Sequence, residues 1–127
     1  EHRPPRRPPP PLWSMLGKLQ YLYLNGNGLG GTLPPAWSRM TSIKHLHLHN
    51  NSLSGPLPSS WLEDLTSMSS LHLSGNRLSG PIPGAVSSLS DLRECGLADN
   101  ELSGTLPEGL SALRGLRKLY AHGNRFT

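Results

Sequence analysis

A single cysteine in 127 residues, Cys95, excludes an internal disulfide, so thiol usage says nothing about redox compartment. Phenylalanine is equally scarce at one residue, aromatics make up 6% of the chain, and glycine and proline number 14 and 13. A conventional globular core built from this composition would be thin. No stretch of about 18 apolar residues occurs, so no segment reads as a membrane span, and the first residues lack the apolar run of a signal peptide.

Acidic residues are few, 8 against 12 Lys and Arg, but the positive excess sits at the two ends. Residues 1–11 carry +2, residues 12–112 carry −2 and residues 113–127 carry +4. A nucleic-acid reader would show a continuous basic stripe interleaved with aromatics, or a known binding motif. Neither is present, and no nucleic-acid partner is expected. Enzyme signatures are missing too: there is no GxSxG, HExxH, P-loop or facing carboxylate pair, so neither catalysis nor a cofactor is expected.

What the chain does have is internal repetition. "NGNGLGGTLP", "HNNSLSGPLP", "SGNRLSGPIP" and "ADNELSGTLP" are one phrase written four times, and "HGNRFT" starts a fifth. Its asparagines, Asn27, Asn51, Asn76, Asn100 and Asn124, are spaced by 24, 25, 24 and 24 residues, with the extra residue in "WLEDL". Upstream, apolar residues recur as Leu16, Leu19, Leu22, Leu24, then as Met40, Ile43, Leu46, Leu48, and so on to Leu113, Leu116, Leu119, Ala121.

The template LxxLxxLxLxxNxLxGx(I/L)P resembles the 24-residue, plant-type leucine-rich repeat over residues 10–127. That resemblance implies an α/β fold: a right-handed solenoid with a concave parallel sheet and short 3₁₀ or helical return segments. Each xLxLx stretch is expected to pair only with its copies one repeat away, leucines inward and alternate residues facing solvent. The asparagines are expected to bond turn backbone as a ladder. Gly31, Gly55, Gly80 and Gly104 suit a tight turn, and Pro34, Pro58, Pro83 and Pro107 start the return segments. Trp37 and Trp61 lie three residues after a repeat proline and are read as core, and Trp13 follows Pro10 by the same interval.

This reading divides the chain into a Pro/Arg-rich disordered tail, residues 1–11, and a repeat domain, residues 12–127, of about 4.5 repeats. The tail reads as an extended linker rather than a ligand for a proline-recognition domain. Neither end shows a cap, so the chain is expected to be part of a longer protein.

"HLHLHNN", residues 45–51, holds the most unusual pattern. In repeat order the open-face columns are Tyr21, His45, Ser70, Glu94, Lys118; then Tyr23, His47, His72, Gly96, Tyr120; then Asn25, His49, Ser74, Ala98, His122. Same-face neighbours on a strand lie about 6.5 to 7 Å apart and adjacent strands about 4.8 Å apart, so His47, His72 and either His45 or His49 could meet one ion. Orienting partners are lacking, with Glu94 only diagonally near His72, and a contact surface is the preferred reading; a metal-binding or pH-responsive surface at His45, His47 and His72 is the alternative.

The resemblance implies a non-catalytic recognition module of a secreted or cell-surface protein, receptor-like in kind, with a protein or peptide ligand and glycan as a further possibility. "LPPAWSRMTSIKHLHL" also resembles protist surface-antigen and algal versions of the repeat. Tyr21, Tyr23, His45, His47 and His72 are the expected contact residues. Asn50 heads the one Asn-x-Ser/Thr sequon and is the expected glycan acceptor.

Overall fold

The computed structural model describes residues 6–127. In chain order its strands are β1 (Tyr21–Tyr23), β2 (His45–His47), β3 (Ser54–Gly55), β4 (Ser70–His72), β5 (Arg77–Gly80), β6 (Glu94–Gly96), β7 (Glu101–Gly104), β8 (Lys118–Tyr120) and β9 (Arg125–Phe126). Strands β1-β2-β4-β6-β8 form one parallel sheet. Its register aligns Tyr21 with His45, Ser70, Glu94 and Lys118, and Tyr23 with His47, His72, Gly96 and Tyr120. A second sheet, β3-β5-β7-β9, runs along the other side of the asparagine turns. The sequence pattern did not announce it, because the LxG phrase reads as turn.

Proline sets where each return segment begins. Pro10, Pro34, Pro58, Pro83 and Pro107 are N-caps with φ between −61° and −69°, the value their rings impose. Four of the return segments that follow are 3₁₀ turns, Pro11–Met15, Pro35–Arg39, Gly84–Ser88 and Glu108–Ala112. The repeat with the extra residue instead forms an α-helix, α1 (Ser59–Asp64). There the Leu65 amide reaches four residues back to the Trp61 carbonyl at 2.9 Å, whereas the Met40 amide reaches three back to Trp37. Widening one turn absorbs the insertion without disturbing the stack.

The apolar columns fill the interior: Leu46, Leu71, Cys95 and, one place on, Leu48, Leu73 and Leu97 are all at most 2% exposed. Trp37 and Trp61 stack parallel at 5.9 Å between centroids, and Trp13 adds to the pile at 6.3 Å from Trp37. Each inner indole is also hydrogen-bonded: Trp37 Nε1 donates to the Pro10 carbonyl at 2.8 Å and Trp61 Nε1 to that of Pro34 at 2.7 Å. The asparagine ladder forms throughout. Asn76 donates from Nδ2 to the Leu48 and Leu73 carbonyls and accepts from the Leu53 amide, so one side chain ties two repeats together.

The stack ends with apolar surface uncovered. Leu16 is 46% exposed where its counterpart Met40 is 2%, and Leu119 is 39% exposed where Cys95 is 2%.

The tail boundary at residue 11 needs correction. Residues 1–5 lie outside the described residues, but from Arg6 onward the chain packs as part of a repeat: the Arg7 carbonyl accepts from the Gly30 amide at 3.0 Å, Pro9 is buried, and the Pro10 carbonyl holds Trp37. Three successive prolines supply the extended backbone that "GTLP" supplies elsewhere, which composition alone had assigned to a linker.

Candidate functional site: the aromatic and histidine face of the sheet

Short parallel strands with leucines locked inward leave the alternate side chains standing in rows on the open face. On its N-terminal half these rows are rings. Tyr21 stacks on His45 at 5.2 Å and Tyr23 meets His47 edge-on at 4.6 Å. His47 meets His72 at 4.5 Å and His49 at 5.7 Å. The five expected contact residues are therefore brought together, and His49 joins them. Tyr21 and Tyr23 remain 52% and 55% exposed, and the histidines are half-buried.

Ser70, buried beneath the patch, joins two of the histidines. Its Oγ lies 2.6 Å from His45 Nδ1 and 3.1 Å from His47 Nε2. A hydroxyl has one hydrogen to donate and two lone pairs to accept with, so with both bonds made at least one of the two rings donates to it. His72 Nε2 lies 3.3 Å from Glu94 Oε2, and Lys118 Nζ is 3.8 Å from the other carboxylate oxygen. Glu94 thus reaches His72 from the neighbouring strand, closer than the diagonal placement expected for it. Gly96 makes room: a Cβ there would stand 3.0 Å from both His72 Nδ1 and Ser74 Oγ. Ser70 bridging was legible in the register once Ser70 was placed between His45 and Glu94, but the rotamers that aim both rings at it were not.

His45 and His47 are turned to the Ser70 hydroxyl and His72 to the Glu94 carboxylate, so the imidazoles do not aim at one shared point. Among the described residues no group of three or more His, Cys, Asp or Glu is disposed to hold a metal ion, so the metal candidates His45, His47, His49 and His72 do not come together as a ligand set. Two rings of the patch, those of His47 and His49, disfavour positive charge. Burial, and then the neighbouring His72, His49 and His45, lower the pKa of His47 to about 4, against a weaker opposite pull from Glu94. His49 is lowered by burial and by His72, and its Nδ1 is buried with no hydrogen-bond partner. Cys95 lies in the core beneath the sheet, where burial pushes its thiol up to about 12, a protonated and unreactive state.

Asn50 is exposed, three residues past the end of β2, in the left-handed region at φ 57°. Asp99 occupies the same place in its repeat at φ 56°, where the other repeats have Gly26, Gly75 and Gly123. Asn and Asp tolerate that conformation better than other side chains.

The family model of the leucine rich repeat matches residues 17–78. The chain belongs to the leucine-rich repeat family. Solved structures extend the match over nearly the whole of this leucine-rich repeat chain. The ectodomain of the Arabidopsis thaliana membrane receptor kinase GASSHO1/SCHENGEN3, in complex with CASPARIAN STRIP INTEGRITY FACTOR 2, is 32% identical over 95% of the chain and 14% of its own, with a TM-score of 0.92. The Arabidopsis receptor kinase HAESA, in complex with the peptide hormone IDA and the co-receptor SERK1, is 34% identical over 94% of the chain and 20% of its own, with a TM-score of 0.88. The plant peptide hormone receptor RGFR1, in complex with RGF2, is 36% identical over 89% of the chain and 18% of its own, with a TM-score of 0.83. The repeats described here therefore span 14% to 20% of the length of these receptors. No curated protein matches the chain. No helix among the described residues is long and apolar enough to cross a membrane.

Proposed function

We propose that this chain is a non-catalytic recognition segment that binds a peptide or protein through the N-terminal half of its concave sheet, with Tyr21, Tyr23, His45, His47 and His72 carrying most of the contact. The observation behind this reading is the row of exposed rings over a rigid sheet. Aromatic side chains with a polar tip offer large contact area with few torsions to freeze, and the stacking of Tyr21 on His45 and Tyr23 on His47 has already restricted them. The likeness to receptor ectodomains solved with peptide ligands supports the same class of partner and a place of action outside the cell.

The test uses peptides selected from a random dodecapeptide display library on the purified chain. Tyr23→Ala and His47→Ala should each weaken the selected peptides by roughly 1 kcal/mol or more while leaving the melting temperature close to that of the parent. If both variants bind as the parent does, the contact lies elsewhere, with the LxGxIP edge as the next candidate.

A further inference from the structure

Three arginines converge just beside the ring patch with no carboxylate to answer them. Arg93 and Arg117 immediately precede β6 and β8 and are neighbours across the sheet, the Arg117 amide donating to the Arg93 carbonyl at 2.8 Å. Arg114 stands in the turn leading to β8, and the three border a cleft of about 250 Å³ shared with Ser90, Asp91 and Gly115. Among the described residues, none of the three guanidinium groups makes an ion pair or a side-chain hydrogen bond, and Asp91 stays outside ion-pair distance of all three. Lys118, next to Arg117 in the chain, is by contrast paired with Glu94. Like charges on adjacent strands repel, so the native chain carries an uncompensated cost here that a bound anion would offset.

Arg93 also lines a second, smaller cleft with His45, His47, Ser69, Ser70 and Glu94, which makes the arginine cluster continuous with the ring patch. Resting on the peptide-recognition reading above, we infer that Arg93, Arg114 and Arg117 form an anion subsite that takes the carboxylate of an acidic residue in the bound peptide. Planar guanidinium groups match a carboxylate with two parallel hydrogen bonds, which a lysine cannot do. From β1 to the midpoint of β6 and β8 is three and a half strand spacings, roughly 17 Å at ~4.8 Å each. A peptide crossing the strands in extended form covers that in about five residues at ~3.3 Å each. The acidic residue should therefore sit about five positions from the residue that meets Tyr21 and Tyr23.

Two measurements test this, and they fail separately. Titrating the full chain with inorganic sulfate, followed by the arginine Nε–H resonances, should shift Arg93, Arg114 and Arg117 saturably and leave exposed Arg77 still; the response should vanish in the Arg93→Gln/Arg117→Gln variant. Uniform shifts across all arginines, or none, overturn the subsite. The same dodecapeptide library should then yield sequences with Asp or Glu about five residues from an aromatic or apolar residue. Their affinity should fall on the order of tenfold in Arg93→Gln/Arg117→Gln and fall again as salt is raised, with Arg77→Gln as an unaffected control. A local sulfate response with selected peptides that carry no acidic residue overturns the carboxylate assignment and leaves an adventitious ion only. Failure to select any peptide overturns the recognition reading, and the carboxylate assignment with it, whatever sulfate does.

Discussion

The imidazole of His47 stands edge-on to that of His72, with ring centroids 4.5 Å apart, and this contact joins two strands through groups that ordinarily titrate near neutrality. Charging the His47 ring brings a cation close to its neighbour His72 and into partly buried surroundings.

Stability should accordingly decline with acid. The His47 pKa drops from 6.5 in the unfolded chain to about 4 in the folded one. Above 6.5 the ring is neutral in both states, and the stability of the patch is fully present. As pH falls below 6.5 the unfolded chain takes up a proton that the folded chain refuses until about 4, so stability is lost across that window. Melting temperature measured from pH 8 to 4 should fall more steeply for the parent than for His47→Gln. Equal slopes would mean that the ring is not held neutral by the fold.

The buried indole bond at Trp61 should be worth more than its ring alone suggests. Trp61→Phe keeps an aromatic in the pile but leaves the Pro34 carbonyl, which accepts from Nε1 at 2.7 Å, without its donor. An unanswered buried acceptor costs about 1 to 3 kcal/mol, and the lost ring volume adds to it. Urea unfolding should show at least about 2 kcal/mol of destabilisation, against a smaller loss for Trp13→Phe at the half-buried end of the stack.

Along the asparagine ladder the effect of deletion should track position. Asn76 is 8% exposed and its side chain bonds two carbonyls and one amide, whereas Asn27 is exposed and, among the described residues, its side chain bonds only carbonyls of its own turn. Asn76→Ala should cost on the order of 3 kcal/mol and Asn27→Ala under about 1 kcal/mol. Amide exchange should follow the same gradient, slowest around β4 and fastest at β8 and in the turn Pro11–Met15, where the end leucines are open to water. Better protection of β8 than of β4 would contradict the nearest-neighbour account of the stack.

Asn50 should accept a glycan when the chain is secreted by eukaryotic cells, because it is exposed and sits past the sheet edge with Ser52 two residues on. Glycosidase treatment should lower the mass of the secreted chain, and Asn50→Gln should secrete at the lower mass from the outset. An untreated parent of unmodified mass would remove this site.

Much of the architecture could be read from spacing. A phrase that returns every 24 or 25 residues leaves each strand only its copies one repeat away as partners, so columns such as Tyr23, His47, His72 follow from counting, and the observed register agrees. Trp37 and Trp61 were legible as core for the same reason. The arginine cluster was present in the pattern too, since Arg93 and Arg117 hold equivalent places before their strands, but charge summed over the C-terminal 15 residues concealed which bases stay unpaired.

Other features belong to the tertiary structure, and the reason is that they depend on side-chain torsions or on backbone that repetition does not encode. That Ser70 holds both His45 and His47, and that Glu94 swings to His72, are outcomes of rotamer choice among neighbours contributed by three strands. That the extra residue widens one turn into α1 rather than bulging outward depends on Trp61 and Leu62 both finding space in the core. That the segment from Arg7 to Pro10 joins the stack instead of trailing depends on the Gly30 amide, which meets the Arg7 carbonyl, and the Trp37 indole, which meets that of Pro10, two donors that only the assembled stack presents. Sequence by itself determined the period, the inward columns and the open face; the packed solenoid decided which polar atoms on that face satisfy one another and which are left for a partner.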